Sequence, residues 1–232
     1  MSVVKPLAVT VVVLAVLGGA GVVADFVVRD QAEQQVAQTV QQKLGLESPP
    51  DVTLGGVPFS AALVTRKVPD ASLSAKDVPL KVSGKAVSFS DVHATARNLV
   101  LQDRTVLIDS ADVDAVLPYA ELSTLAGVPV EATADGRLMV SYKADLFGDS
   151  RVAAVSAVPV LDEKGRQLRL TEASIEVAGF PLSDDIAQSI MDAVIRPIPL
   201  KLPEGVTLDG IEVEPEGLLL NASLSDLSVP LS

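Results

Sequence analysis

The sequence predicts an α+β fold that is mostly β, with an antiparallel, meandering sheet and two main helices. Three observations predict it. Beyond Asp51, apolar residues alternate with polar ones in many short segments. Two other segments carry apolar residues at four-residue spacing, as a helix does. Asp135-Gly136 separates two such alternating segments and is a strong hairpin signal.

The N-terminal segment Leu7–Ala24 is apolar, and Lys5 is the only cation before it. As a helix, its 18 residues would measure about 27 Å, close to the thickness of a bilayer core. Two interpretations compete: a signal peptide over 1–24 with a cleavage site at Val22-Val23-Ala24, or an uncleaved membrane anchor. Lys5 predicts a cytoplasmic N-terminus in both. We favour the anchor, and both interpretations predict export.

Helices are predicted at three places. Over Asp30–Leu44 the apolar stripe is Ala32, Val36, Val40 and Leu44, and Gly45 follows as a C-cap. This helix is either a stalk or, as we favour, packed on the sheet. Over Asp184–Ile195 the stripe includes Ile190 and Val194, with Ser183 as N-cap and Pro197 as terminator. A short third helix is predicted over Tyr119–Ala126.

The predicted strands follow from period-two alternation. Asp162–Gly165 predicts a second turn. Between Phe89 and Val92 the spacing of apolar residues is three instead of two, a change of phase that predicts a bulge at Ser90-Asp91. The alternating positions are Val52/Leu54, Val87/Phe89, Val92/Ala94/Ala96, Val106/Ile108, Leu138/Val140/Tyr142, Leu168/Leu170 and Ile175/Val177.

Two stretches of the chain resemble one another, around 51–101 and 174–220. Val52–Ser60 matches Ile175–Ser183, and Val78-Pro-Leu-Lys-Val matches Ile198-Pro-Leu-Lys-Leu. Farther on, Val87–Ala94 matches Val206–Val213 with the same phase slip. Alternation alone would not keep these matches in order, so we predict a duplicated unit. Two such units whose apolar faces meet can enclose a shared lumen.

Composition excludes several classes of function. The net charge is −12, and −13 after residue 24 (17 cations minus 30 acids), which argues against nucleic acid and against charge-driven binding to anionic lipid as the main force. With no cysteine there is no disulfide, thiolate zinc site or lipoprotein anchor. No cofactor is predicted.

Catalytic signals are weak. His93, the only histidine, shares a predicted strand face with Asp91 and Thr95, but that face is the polar one. Acid pairs such as Asp184-Asp185 are better explained as favourable charge at a helix start. We therefore predict that the protein is not an enzyme.

The basic residues Arg66, Lys67, Lys81, Lys85 and Arg97 are candidates for contact with a lipid phosphate or bilayer headgroup.

Five features follow one another along the chain. They are the exported N-terminus, the glutamine-rich helix, Val-x-Leu-Gly-Gly-x-Pro-Phe over 52–59, Ile-Pro-Leu-x-Leu-Pro-x-Gly over 198–205 and Glu-Pro-Glu-Gly-Leu over 214–218. This pattern resembles the LmeA-like envelope proteins of Actinobacteria, described as phospholipid-binding and linked to lipomannan elongation. The resemblance implies a sheet curled into an elongated tube or half-barrel around a helix, with phospholipid in an apolar cavity. It implies no catalytic residue.

Together these observations predict a single lipid-binding domain over 25–232, in the periplasm or cell envelope and anchored to or associated with the cytoplasmic membrane. Its partners would be phospholipid, the membrane and an envelope glycosyltransferase. The alternative is a tethered non-lipid module that docks an envelope enzyme; a lipid or glycan hydrolase is a third class. The expected apolar lining comprises Val36, Val40, Phe59, Phe89, Val92, Ala94, Ala96, Ile190, Val194, Leu208 and Ile211.

Overall fold

The computed structural model describes residues 27–56, 65–82, 85–102, 105–146, 149–162, 164–177, 198–199 and 205–230. Among the described residues the protein is mostly β, with eleven strands and two helices. The strands form two antiparallel sheets that are not closed into a barrel. This confirms the predicted mostly β, α+β class with antiparallel sheets, whereas the predicted curling of the sheet into a tube or half-barrel around a helix is not confirmed. The predicted membrane segment and the predicted helix Asp184–Ile195 lie outside the described residues.

In the described part of the chain the helices are α1 (Val27–Leu44) and α2 (Tyr119–Ala126). The strands are β1 (Asp51–Leu54), β2 (Lys67–Val82), β3 (Lys85–Gln102), β4 (Thr105–Pro118), β5 (Val130–Ala132), β6 (Leu138–Leu146), β7 (Asp149–Leu161), β8 (Gln167–Val177), β9 (Ile198–Pro199), β10 (Val206–Val213) and β11 (Gly217–Pro230). One sheet has the order β1-β2-β3-β4-β11-β10, and the other has the order β5-β6-β7-β8-β9.

Helix α1 confirms the predicted amphipathic helix. Val36, Val40 and Leu44 are buried, whereas the glutamines between them are mostly exposed. Gly45 has φ +68°, the left-handed conformation that ends helices. Glu33 accepts a hydrogen bond from the backbone N–H of Leu54 at 2.8 Å, which ties α1 to β1. A buried stripe and this contact show that α1 packs within its own unit of the fold.

By contacts between residues, the chain divides into two compact units. The first comprises the described residues within Met1–Val116, Leu202–Thr207 and Asn221–Ser232, and the second those within Leu117–Lys201 and Leu208–Leu220. Each of the strands β10 and β11 therefore has one end in the first unit and the other end in the second. The single domain over 25–232 stays a prediction.

The turns of the second unit are those that the sequence predicts. Between β5 and β6, Thr133 N–H donates to the carbonyl of Arg137 at 2.8 Å, and Gly136 has φ +74°. Between β7 and β8, Gly165 N–H donates to the carbonyl of Asp162 at 2.9 Å. The Asp162 carboxylate accepts the backbone N–H groups of Gln167 and Arg166, and these bonds hold its pKa below the ordinary value.

The pairing of β7 with β8 contains a bulge that the sequence pattern did not predict. The register shifts between Ser156 and Val158, and Glu172 on β8 has φ +51°. The guanidinium of Arg137 donates to the Glu172 carbonyl and forms an ion pair with its carboxylate at 3.5 Å. The Arg137 side chain therefore holds the bulge from the neighbouring hairpin.

Tyr119 at the start of α2 closes a small core in the second unit. The core consists of Val130, Leu138 and Leu218, with Tyr119 and Ile211 among the residues packed against it. The Tyr119 hydroxyl lies 2.5 Å from the Glu214 carbonyl and 3.0 Å from the Gly217 carbonyl, both in the β10–β11 turn. Burial and then the Glu214 charge raise the pKa of Tyr119 above its ordinary value.

The duplicated unit is not confirmed. Val87–Ala94 lie in β3, which is between β2 and β4, whereas Val206–Val213 form β10 at the end of the same sheet. Likewise Ile198–Pro199 pair with β8, while the matching Val78 lies in β2, which pairs with β1 and β3. The matched strands thus have different neighbours, and the repeat stays a prediction.

Candidate functional site

The candidate site is the buried side of β2, β3 and β4 in the first unit, here called the apolar face. Directly paired residues on antiparallel strands point to the same side of a sheet and lie roughly 5 Å apart. The register therefore arranges residues of this face in rows across the three strands, and all of them are buried except Ala115, which is half-buried. The rows are Ala75–Val92–Ala115, Leu73–Ala94–Val113 and Ala71–Ala96–Ala111.

The rows of the apolar face are built mainly from small side chains. One row consists of three alanines, Ala71, Ala96 and Ala111, which are 2%, 7% and 1% exposed. In the next row Ala94, at 6% exposed, lies between Leu73 and Val113. A sheet lined with alanine presents a shallow surface, so it leaves more depth above its backbone than a sheet lined with leucine would.

The apolar face continues past Val92 to Phe89 and Val87, and this continuity corrects the predicted bulge. All three residues are buried although the alternation slips between Phe89 and Val92. The register of β3 with β2 is unchanged across the slip, because Lys76 pairs with Asp91 and Val78 pairs with Phe89. On β2 the buried residues Ala75 and Val78 are likewise three residues apart, with Asp77 between them.

Asp77 is the physical reason for this correction. It has φ +50°, a left-handed conformation in the middle of β2, and Ala75 and Val78 on its two sides are both buried. Aspartate tolerates this conformation better than most residues. Between the pairs Lys76–Asp91 and Val78–Phe89 each strand has one residue, so neither strand carries the extra residue that a bulge requires. Asn98 in β3 has φ +53° and lies at a second slip, between buried Ala96 and Leu99.

No polar or charged side chain is buried among the described residues, and none of their buried side-chain nitrogen or oxygen atoms lacks a hydrogen bond. The apolar face therefore offers dispersion contacts and no hydrogen-bonding groups. In the same part of the chain no group of histidine, aspartate or glutamate could hold a metal ion. This chemistry fits an apolar ligand or an apolar core.

The predicted lining residues do not all lie together. Val36, Val40, Phe89, Val92, Ala94 and Ala96 are buried in the first unit. Leu208 and Ile211 are half-buried and belong to the second unit, where Ile211 packs against the small core. Phe59, Ile190 and Val194 lie outside the described residues. Whether any of these residues contacts lipid stays a prediction.

The predicted headgroup cations lie at different ends of the sheet. Arg66 and Lys67 are exposed at the start of β2, and Lys85 is exposed at the start of β3. The guanidinium of Arg97 forms an exposed ion pair with Asp112 at 3.0 Å. Lys81 is in β2, and its side chain is outside the described part.

His93 lies on the side of the sheet opposite the apolar face, as the alternation predicts. It is exposed and is paired with Ser74 and Asp114, and Asp91 on the same strand is also exposed. Asp114 accepts a hydrogen bond from the Asn221 amide at 2.7 Å. The histidine therefore belongs to a solvated polar surface.

The contribution of β2 and of most of β4 to the apolar face was not predicted from the sequence. Ala71, Leu73 and Ala75 alternate with serines and would have predicted a strand by the rule that found β3. Alanine carries a weak hydrophobic signal, and Asp77 breaks the pattern after three positions. On β4, Ala111 and Val113 also alternate with polar residues, but Ala111 comes three residues after Ile108, so they do not continue the Val106/Ile108 spacing.

One comparison with known proteins identifies a family. The model of the LmeA-like phospholipid-binding family matches residues 23–223. No curated protein and no solved structure matches the chain. Within the described residues, no helix has the length and apolar character needed to cross a membrane.

Proposed function

Because the chain belongs to the LmeA-like phospholipid-binding family, we propose that it binds the acyl chains of a phospholipid at its apolar face. The observation that carries the proposal is the make-up of that face, which combines rows of alanine with the absence of buried polar side chains in the described residues. An acyl chain makes no hydrogen bonds, so a surface without hydrogen-bonding groups loses nothing when it is covered.

The binding free energy would come mainly from burial of methylene groups, at about 0.8 kcal/mol for each CH₂. The small side chains of Ala94, Ala96 and Ala111 would let an acyl chain lie close to the sheet. The family resemblance supports a sheet curled into a tube or half-barrel around a helix, which would cover the chain on its other side.

The cellular role we propose is the maturation of envelope lipid or of lipoglycan of the lipomannan type. The apolar segment Leu7–Ala24 supports export and attachment to the cytoplasmic membrane from the periplasmic side. An envelope glycosyltransferase is the protein partner that this role implies. The family is described by binding, so no catalytic step is proposed for His93 or for the acidic residues.

Lipid occupancy tests this function. The full-length protein is purified in mild detergent, its mass is measured under native conditions, and its lipids are extracted and identified. We expect a phospholipid at a fixed molar ratio that survives detergent exchange and can be removed and reloaded. Detergent alone carries some lipid with any membrane protein, so the control is a variant with a bulky residue at Ala94, described below. A parent protein that retains no phospholipid at a fixed molar ratio after detergent exchange would be a non-lipid docking module.

A further inference from the structure

We propose that the end of the β2–β3–β4 sheet where β3 turns into β4 docks on the surface of an anionic phospholipid bilayer. This end, called here the docking tip, consists of residues 65–68, 99–102 and 105–108. The inference rests on the proposed function, since a protein that binds phospholipid must reach the membrane that holds it. The side chains that carry it, Lys67, Val100 and Leu107, lie on the side of the sheet opposite the apolar face.

The docking tip presents an apolar pair beside a cation on one side of the sheet. Lys67 pairs with Val100, and Val100 pairs with Leu107, so these three side chains point the same way. Leu107 is 37% exposed and is the one exposed large apolar side chain among the described residues. Val100 is half-buried and Lys67 is exposed. A row of this kind has the composition of surfaces that sit at a membrane interface.

Arg66 adds a second cation next to this row. It is exposed and has φ +55°, and its carbonyl accepts the N–H of Leu101 at 2.8 Å, which fixes it beside the end of β3. Among the described residues, neither Arg66 nor Lys67 has an ion-pair partner, in contrast to Arg97.

Charge selects the partner. The docking tip carries two cations and no acid in its described ranges, and the connecting residues Asp103 and Arg104 cancel each other. The whole chain has a net charge of −12, so this end differs in sign from the protein as a whole. An anionic bilayer attracts such an end and repels the rest, which orients the molecule with Leu107 toward the lipid. Each cation near an anionic bilayer is worth about fivefold in binding.

Because the chain has no cysteine, a single introduced one can carry a probe. The full-length Leu107→Cys protein is labelled with an environment-sensitive fluorophore and reconstituted into vesicles of phosphatidylcholine with or without phosphatidylglycerol. His93→Cys, exposed on the same sheet and away from the tip, is the matched control. We expect a blue shift, and quenching by bilayer-embedded quenchers, for the label at 107 with phosphatidylglycerol only. Both labelled variants must melt at the parent temperature.

Charge reversal completes the test. Arg66→Glu combined with Lys67→Glu should bring the response at 107 down to that at 93, whereas Lys76→Glu combined with Lys164→Glu, which reverses two exposed cations elsewhere, should leave it unchanged. The docking inference is overturned if the labels at 107 and 93 respond equally, or if the response is the same in vesicles without phosphatidylglycerol. A response caused by protein self-association without vesicles also overturns it. Extracted lipid is measured on the same preparations. Retained phospholipid without a response at 107 overturns docking alone, and a response without retained phospholipid overturns the proposed binding function alone.

Discussion

Gly165, in the turn between β7 and β8, lies directly against the backbone of Leu208 in β10. A Cβ added at Gly165 would overlap the Leu208 carbonyl oxygen, and the Leu208 carbonyl carbon would be only 2.9 Å away. Gly165 is buried and has φ +59°. The turn therefore needs glycine for two reasons, its left-handed backbone and its close approach to another strand.

Gly165→Ala should lower the free energy of unfolding by about 2–4 kcal/mol, since strain in the left-handed region and overlap with a backbone that cannot rotate away both contribute. Gly136→Ala is the matched control. Gly136 has φ +74° and no heavy atom within 4 Å of an added Cβ, so it loses only about 1–2 kcal/mol from backbone strain. Denaturant unfolding of both variants measures the difference. Equal losses would mean that Gly165 does not pack on Leu208.

A second prediction concerns Asp77, where a good strand-forming residue should lower the free energy of unfolding. Asp77→Val should cost about 1–3 kcal/mol, since a β-branched side chain is strained at φ +50°. Asp77→Gly should stay within about 1 kcal/mol of the parent. Lys76→Val, at the exposed neighbouring position without a positive φ, should be close to neutral. Thermal melting of the three variants checks this order, and a stable Asp77→Val protein would contradict the paired slip of β2 and β3.

Tyr119 predicts a change of stability at high pH. Its pKa is raised in the folded protein, so the unfolded chain releases this proton first as the pH rises above about 10. Stability from Tyr119 is therefore fully present below that pH and is lost as the pH rises through the folded pKa. Tyr119→Phe should lose about 0.5–1.5 kcal/mol at neutral pH, because the bonds to Glu214 and Gly217 are removed.

The difference between parent and Tyr119→Phe should shrink as the pH rises from 9 to 11. Comparing the two proteins at each pH removes the contribution of Tyr142, the other tyrosine. Urea unfolding at several pH values gives the measurement. A difference that stays constant with pH would mean that the hydroxyl is not held by the β10–β11 turn.

Much of the first unit follows from the sequence, because side chains alternate on strands and recur on helices by fixed periods. Val36 and Val40 on α1, and Val92, Ala94 and Ala96 on β3, are buried as their spacing predicts. Asp162–Gly165 and Asp135-Gly136 form turns since few other residue pairs adopt the required backbone.

The rest depends on pairing between distant parts of the chain. Nothing local places Leu208 and Ile211 in a different unit from Ala94, since this is decided by which strands lie beside β10. The slip at Ser90 predicted a bulge because one strand was considered without its partner. Only the register shows that Asp77 compensates for it.

His93 should be dispensable. Its side chain is exposed, and the residues paired with it are Ser74 and Asp114. His93→Ala should therefore change the free energy of unfolding by less than about 0.5 kcal/mol and leave phospholipid occupancy unchanged. Melting and lipid extraction measure both quantities. A stably folded His93→Ala protein that fails to complement loss of the native protein would indicate a catalytic role.

Ala94 distinguishes a lipid surface from an ordinary core. The alanine lies in the middle of the apolar face between Leu73 and Val113, and it is buried. In a close-packed core, Ala94→Trp would overpack and cost roughly 1–3 kcal/mol or more. On a surface that binds acyl chains, the indole would occupy the space of the chain, so lipid occupancy falls while the delipidated protein keeps its melting temperature. We expect the second result.

His93→Trp is the matched control for Ala94→Trp, because it adds an indole at the adjacent position of β3 on the exposed side of the sheet. It should leave both melting temperature and lipid occupancy at the parent values. The two readouts are taken on the same delipidated and reloaded preparations. If Ala94→Trp lowers the melting temperature strongly while its folded fraction still takes up phospholipid, Ala94 belongs to a filled core. The lipid would then have to bind away from the rows that Ala94 shares with Leu73 and Val113.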